Sequence, residues 1–176
     1  MKKGLLIAAA VLLAGAAIYF ISGAGVTPEK AREYEQEGIQ YVREGKFDEA
    51  IKSYNRALRG TDNPTVYYNR GVAYMNKGDQ DNALKDFSRV IELQPDRIAA
   101  YTNRAVIYRN RGEYEKSVFD YSRIIELRGN IPGAYFGRGY AYERLGEKDK
   151  AIADYSKAAS LGHKRAGRAL ESLKAK

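Results

Sequence analysis

One eight-residue pattern returns along the chain at a fixed interval. It reads YYNRGVAY from Tyr67, YTNRAVIY from Tyr101 and YFGRGYAY from Tyr135, so each copy follows the last by thirty-four residues. Regular self-similarity at a period of about 20–50 residues is the mark of repeat architectures. Because one unit of this size cannot bury its apolar face alone, neighbouring units must stack against each other. This period limits the possible folds more than any other feature of the sequence.

Each unit reads as two helices joined by a turn. In the unit at 64–97, Asn63 and Pro64 supply a capping residue followed by a first-turn proline, and Gly78 interrupts the apolar pattern. Apolar residues recur at helical spacing on both sides of that glycine. Glycine stands at the same place in the other units, at Gly45, Gly112 and Gly146. The sequence therefore predicts an all-α chain of helix–turn–helix units.

The residues that recur in register resemble the tetratricopeptide repeat (TPR) family. That family's unit follows the pattern W-x2-L-G-x2-Y, then A-x3-F, then P. The second unit matches it with Tyr67, Gly71, Tyr74, Ala83, Phe87 and Pro95. The resemblance implies a right-handed α-solenoid of four repeats, at 31–63, 64–97, 98–131 and 132–165. The departures are mild, such as Ala105 and Ser117 in the third unit.

The residues after the fourth unit, 166–176, read as a capping helix. Ala166, Ala169, Leu170 and Leu173 share one face of it. Solenoids need such a helix to cover the last exposed repeat. A membrane-binding amphipathic helix is the alternative interpretation.

Residues 1–21 read as a signal anchor. Lys2 and Lys3 precede eighteen uncharged, mostly apolar residues, 4–21, which as a helix would span about 27 Å. This length favours a transmembrane helix over a cleaved signal peptide, although small residues at 22–24 keep cleavage as an alternative. The lysines place the amino terminus in the cytoplasm. We expect a single-pass protein of a bacterial inner membrane, with a linker at 22–30 that includes the start of the first helix, and with the repeats in the periplasm.

Composition argues against catalysis. The chain has no cysteine and one histidine, His163, so it lacks the residues for a disulfide, a zinc site or a Ser-His-Asp triad. We expect no enzymatic activity, no metal and no cofactor. The net charge is +8, and basic residues accumulate near the carboxyl end. They are Arg144, Lys148, Lys150, Lys157, Lys164, Arg165 and Arg168. This end favours an acidic partner or an anionic surface, or is merely a solvated face; nucleic acid is disfavoured by the expected compartment.

Three units carry an arginine where the family usually has leucine. Each arginine lies eight residues before its turn glycine, and an aspartate lies eight residues after it, so the two are level in an antiparallel helix pair. The first unit has Glu37 and Ser53 at these places, so arginine and aspartate are absent together. Because an inward arginine is costly unless its charge is matched, we interpret them as structural ion pairs, with a line of arginines holding an acidic ligand as the alternative. The pairs are Arg70–Asp86, Arg104–Asp120 and Arg138–Asp154.

The resemblance also implies a groove lined by the first helix of each unit. The groove residues that it indicates are Tyr68, Asn69, Val72, Met75, Thr102, Asn103, Val106, Arg109, Phe136, Tyr140 and Arg144. Aromatic and apolar groups there would supply contact area, and side-chain amides could hold the backbone of an extended peptide. The alternative for Tyr68, Phe136 and Tyr140 is that they pack between neighbouring helices.

The family's known clamp for a chaperone's terminal carboxylate is absent. In either register of the units, one asparagine, Asn69 or Asn103, is the only residue that fits the clamp. We therefore expect a membrane-anchored scaffold or assembly factor that binds membrane-associated envelope proteins, with its oligomeric state open. A cleaved, soluble periplasmic carrier and an anionic-surface binder are the alternatives.

Overall fold

The computed structural model describes residues 26–175, and this part of the chain consists of helices with no strand. The nine helices described are α1 Pro28–Arg43, α2 Phe47–Ala57, α3 Pro64–Lys77, α4 Gln80–Leu93, α5 Ile98–Asn110, α6 Tyr114–Leu127, α7 Pro132–Arg144, α8 Lys148–Ser160 and α9 Ala166–Lys174. Each helix packs against the next one along the chain. The arrangement is the expected all-α solenoid of four helix pairs followed by a ninth helix.

The helix ends follow from the residues that precede and follow them. Pro64 is the first residue of α3, and the Asn63 side chain accepts a hydrogen bond of 2.9 Å from the Thr65 N–H. At the other end of α3, Gly78 has a φ of 90°, a left-handed conformation that glycine adopts without strain. A glycine with positive φ stands in the turn of each of the other pairs as well, at Gly45, Gly112 and Gly146.

Within a pair, the two helices approach closely because a small residue faces an aromatic ring. A Cβ atom added to Gly71 of α3 would lie 2.9 Å from the ring of Phe87 in α4, closer than real contacts allow. Phe87 is fully buried, and Tyr54, Tyr121 and Tyr155 occupy the equivalent place in the other units. These four rings form the centre of the apolar core in their units.

The ninth helix covers the end of the fourth unit. Leu173 is buried in the same cluster as Tyr155 and Ala151, and Leu170 packs against it. This contact is the one that a capping helix makes, since it shields the last apolar repeat face from water.

The proposed membrane span, 4–21, lies outside the described residues. Within residues 26–175, no helix has the length and apolar character needed to cross a membrane.

Candidate partner-binding face

Each of the three repeat arginines holds its aspartate with two hydrogen bonds. Arg104 Nε donates to Asp120 Oδ2 at 2.9 Å, and Nη2 donates to Oδ1 at 2.7 Å. The pairs Arg70–Asp86 and Arg138–Asp154 have the same geometry, with distances of 2.7–2.9 Å. Such bidentate pairs are the strongest that arginine makes.

The remaining nitrogen of each arginine reaches back to the preceding unit. Arg104 Nη1 donates to Ser88 Oγ at 2.9 Å, and Arg138 Nη1 donates to Ser122 Oγ at 3.1 Å. Arg70 Nη1 uses Asn55 Oδ1 of the first unit in the same way, at 2.6 Å. Each arginine therefore joins three helices: its own, the second helix of its unit and the second helix of the unit before.

Two tyrosines flank each guanidinium. The Arg104 Cζ lies 5.8 Å from the ring centre of Tyr101 and 5.9 Å from that of Tyr108. The other two arginines lie between equivalent tyrosines at 5.4–5.9 Å. Each guanidinium therefore uses three of its five N–H donors within the fold and has a tyrosine on either side, which favours a structural role for these arginines over a ligand-binding one.

Burial makes the two members of a pair depend on each other. Burial raises the pKa of Asp120, and the hydrogen bonds and charge of Arg104 limit that rise. For Arg104, burial opposes the charge, but the bonds to Asp120 outweigh it and raise the pKa. The Asp120 side chain is 0 % exposed and that of Arg104 is 14 % exposed. Removing either partner would leave a charge in a site with little water.

The first unit replaces this pair with a single hydrogen bond. Ser53 Oγ donates to Glu37 Oε2 at 2.8 Å. Here one carboxylate is held by a neutral donor instead of a guanidinium, which is the weaker kind of contact.

The eleven groove residues lie on the first helices α3, α5 and α7. Thr102 and Arg144 are exposed, and the other nine are half-buried. A hydrogen bond of 3.2 Å from Asn103 Nδ2 to the Tyr68 hydroxyl joins α3 to α5 on this side. We call the side that carries these eleven residues the groove face.

The three aromatic residues of the groove face, Tyr68, Phe136 and Tyr140, contact other side chains of the chain. Tyr68 contacts the buried ring of Phe87, and Phe136 contacts that of Tyr155, so both partly pack between helices. Cations also lie near two of these rings: Arg97 lies 5.3 Å from the Tyr68 ring centre and Arg109 lies 5.8 Å from that of Tyr140. Packing between helices therefore accounts for part of the surroundings of these rings, and their binding of a partner stays a prediction.

One hollow of about 320 Å³ opens on the groove face between the third and fourth units. Its lining comprises Thr102, Val106, Arg109, Tyr121, Ile124, Ile131, Gly133, Ala134, Phe136, His163 and Arg165. His163 and Arg165 belong to the segment between α8 and α9, and repeat spacing within first helices could not indicate them. His163 stacks on Phe136 with ring centres 4.2 Å apart, and Arg165 lies 5.4 Å from the same ring.

No cluster of histidine and acidic side chains suited to a metal ion occurs among residues 26–175. Among the basic residues near the carboxyl end, Lys150 pairs with Glu147, and Arg165 lines the hollow.

Family models match the chain without a gap from residue 38 to residue 164. A TPR repeat model covers 38–78, one described as tetratricopeptide repeat covers 64–97 and 132–164, and a second so described covers 98–131. Among proteins with a curated function, none matches the chain significantly.

Solved structures of similar fold include those of MamA and of a TPR domain of Spaghetti (RPAP3). A MamA double mutant, RS-1 ArsTM, has a TM-score of 0.79 at 21% identity, over 85% of this chain and 86% of its own. Another MamA crystal structure has a TM-score of 0.71 at 26% identity, over 80% and 77%. The first TPR of Spaghetti (RPAP3), bound to the HSP90 peptide SRMEEVD, has a TM-score of 0.64 at 27% identity, over 69% and 98%.

Proposed function

Because this chain belongs to the tetratricopeptide repeat family, we propose that it is a non-enzymatic interaction scaffold or assembly factor that binds a segment of a partner protein on its groove face. The fold is typical of such scaffolds. The observation that carries the proposal is the open hollow on this face, where half-buried apolar residues such as Val106 lie beside exposed polar ones such as Thr102. Such a mixture of apolar area and convergent polar groups is typical of binding sites.

A relative supports the same use of the fold. The first TPR of Spaghetti, to which this chain is similar, holds an HSP90 peptide in its structure. For this chain the partner differs, since the residues that grip a chaperone's terminal carboxylate are missing. We propose membrane-associated subunits of an envelope complex as partners, because an anchored groove would meet them at high effective concentration.

Crosslinking in intact cells tests the proposal. A photoreactive phenylalanine derivative at Tyr68 or Tyr140 should capture the same partner protein from both positions. The same derivative at Phe119, whose side chain is 60% exposed on α6, is the matched control and should not capture it. Capture from Phe119 alone, or from no position, would contradict binding at the groove face.

The membrane anchor and its orientation form a separate part of the proposal. Mass spectrometry of the mature amino terminus should find Met1; a start at Gly25 would favour the cleaved carrier instead. Since the chain has no cysteine, a single Lys157→Cys variant provides a clean probe of orientation. A maleimide reagent that cannot cross the inner membrane should label it in intact cells if the repeats are periplasmic.

A further inference from the structure

A hollow of about 330 Å³ lies where the chain enters its first repeat. Its lining includes Val26 from the segment before α1, Arg32 and Glu35 from α1, and Thr61 from the segment between α2 and α3, and the other lining residues are mostly apolar or small. The Val26 N–H also donates a long hydrogen bond of 3.4 Å to the Arg59 carbonyl, so the entering chain runs beside the opening. We call this site the entry hollow.

The entry hollow holds one cation and one anion, Arg32 and Glu35. They are three residues apart in α1, so they lie on the same face of that helix. Neither side chain forms an ion pair or a hydrogen bond within residues 26–175, whereas the adjacent Lys30 and Glu33 pair with each other at 2.5 Å. The site therefore presents a guanidinium donor and a carboxylate acceptor side by side, which suits a ligand that carries both an anion and a cation.

The outer face of α1 is polar. At the two positions where α3 buries Val66 and Ala73 against the repeat before it, α1 has Glu33 and Gln40, and both are exposed. Such a face does not suit the stacking of another repeat, which needs apolar residues there. The three basic and four acidic residues of α1 nearly balance, so the helix has little attraction for a purely anionic surface.

The expected anchor brings the entry hollow to the lipid surface. Five chain steps separate residue 21, the end of the proposed span, from Val26, a reach of at most about 18 Å. The headgroup layer adds roughly 5–8 Å to each side of the hydrocarbon core. With residues 4–21 in the bilayer, the hollow therefore lies within or just outside the layer of phospholipid headgroups.

Resting on the anchor in the proposed function, we propose that the entry hollow binds the headgroup of a zwitterionic phospholipid, phosphatidylethanolamine. Arg32 donates to the phosphate, and Glu35 accepts from the ammonium group, which an ethylene group separates from that phosphate. Hydrogen bonds between charged groups are shorter and stronger than those between neutral ones. Together with the anchor, this second contact holds the solenoid in one orientation on the membrane.

Photocrosslinking in lipid nanodiscs tests this proposal. The full-length chain, with a photoreactive phenylalanine derivative at Thr61, is placed in nanodiscs of equal parts phosphatidylethanolamine and phosphatidylglycerol, and mass spectrometry identifies the captured lipid. Phosphatidylethanolamine should exceed phosphatidylglycerol by at least about fivefold. The matched control is Thr102, which lines the hollow of about 320 Å³ between the third and fourth repeats and should capture little lipid.

Two double variants separate the site from a general effect of charge. Arg32→Gln/Glu35→Gln keeps the net charge and should reduce the lipid preference at Thr61 to about twofold or less. Arg128→Gln/Glu115→Gln makes the same exchange at two exposed residues outside the entry hollow and should leave the preference unchanged. An equal loss in both would overturn the proposal.

Exchange of the lipid gives a measurement that does not depend on the folding of any variant. Phosphatidylcholine has no N–H on its ammonium group to donate to Glu35, so its capture from Thr61 should be weaker than that of phosphatidylethanolamine. Equal capture of all three lipids would show proximity to the membrane without a site. That result would overturn the proposal and leave the anchor standing.

Other outcomes separate this proposal from the proposed function. Absence of lipid from Thr61 in a chain that retains Met1 would overturn the headgroup site alone. A mature chain that begins at Gly25 would remove the anchor and the headgroup site together, while crosslinking from Tyr68 would still decide whether a partner binds on the groove face. In intact cells, capture of a water-soluble phosphoethanolamine compound instead of a lipid would overturn the commitment to the membrane.

Discussion

The first repeat and the three that follow it use different side-chain contacts at the same place between the two helices of a pair. In the first repeat, Ser53 donates one hydrogen bond to Glu37. In each of the others, an arginine donates two hydrogen bonds to an aspartate, as Arg104 does to Asp120. The difference follows from position in the chain. In the later repeats the arginine also binds a residue of the repeat before it, whereas within residues 26–175 no repeat precedes the first one.

The fourth repeat, at the other end of the solenoid, lacks the bond from a following arginine that the second and third repeats receive. Ser88 and Ser122 each accept a bond from the arginine of the following repeat. Ser156 stands at the equivalent place in the fourth repeat, where Ser172 of α9 takes the position of the connecting arginine, and the Ser156 hydroxyl donates to the Ile152 carbonyl at 2.7 Å. The arginine is therefore a connector between repeats, present where there are two repeats to connect.

The largest expected effect comes from breaking a connector. Asp120→Ala leaves the Arg104 guanidinium without its carboxylate in a site with little water, so it should lower the free energy of unfolding by about 3–5 kcal/mol. Ser53→Ala in the first repeat removes only a hydrogen bond to an acceptor that water can reach in part, and should cost about 1–2 kcal/mol. Chemical denaturation followed by circular dichroism measures both.

A double variant shows whether the loss comes from the orphaned charge. Arg104→Met combined with Asp120→Leu removes both charges and keeps the volume, so it should recover most of the stability lost in Asp120→Ala. If Asp120→Ala costs no more than Ser53→Ala, the connector interpretation is wrong, and the arginine is free to serve a ligand.

The second effect concerns the contact between the third and fourth repeats. A Cβ on Gly137 would lie 2.3 Å from a ring carbon of Tyr121, a side chain that is only 4% exposed. Gly137→Ala should therefore cost about 1–3 kcal/mol through overpacking. Gly133→Ala is the matched control on the same helix, because nothing lies within 4 Å of the added atom. In thermal melts it should leave stability unchanged or improve it, and equal melting temperatures for both variants would contradict this packing.

Sequence alone predicted the repeats and the register of the connectors. The helix pairs follow from apolar spacing, and their turns follow from glycines such as Gly78, because these signals are local. That Arg104 faces Asp120 follows from counting eight residues outward from Gly112 in each direction, because a tight turn in an antiparallel helix pair fixes which residues face each other.

The rest needed the stacking of one repeat on another. The third bond of Arg104, to Ser88, was missed, although a serine sixteen residues before Arg104 and again before Arg138 was a visible sign. His163 and Arg165 could not be assigned to the groove face, because they lie between α8 and α9 and reach it through the stacking of Phe136 on His163. The partner-binding role of this face stays a prediction.

The third effect compares equivalent rings in the first and second repeats, Tyr54 and Phe87. Burial raises the pKa of Tyr54 to about 12 from an ordinary 10, so the folded chain keeps its proton where the unfolded chain loses it. The free energy of unfolding should therefore fall as the pH rises from 10 towards 12, by an amount on the order of 1 kcal/mol per pH unit. Tyr54→Phe, which copies the second repeat, should make this fall shallower and change little at pH 7. Unfolding curves at pH 7 and pH 11 measure it, and equal slopes in both proteins would rule Tyr54 out as the cause.

The smallest effects test the connector rule most directly, because they compare one residue type at one repeat position. Ser88→Ala and Ser122→Ala each remove the acceptor of an arginine of the next repeat, and each should cost about 1 kcal/mol. Ser156 accepts no bond from an arginine of the next helix in the described part of the chain. Ser156→Ala therefore removes only a bond back to its own helix and should change stability by less than about 0.5 kcal/mol. The three variants delete the same hydroxyl from the same place in a second helix, so helix propensity changes equally in all of them. A cost at Ser156 as large as that at Ser88 would mean that the serine serves its own helix, and that the arginine's third bond is incidental.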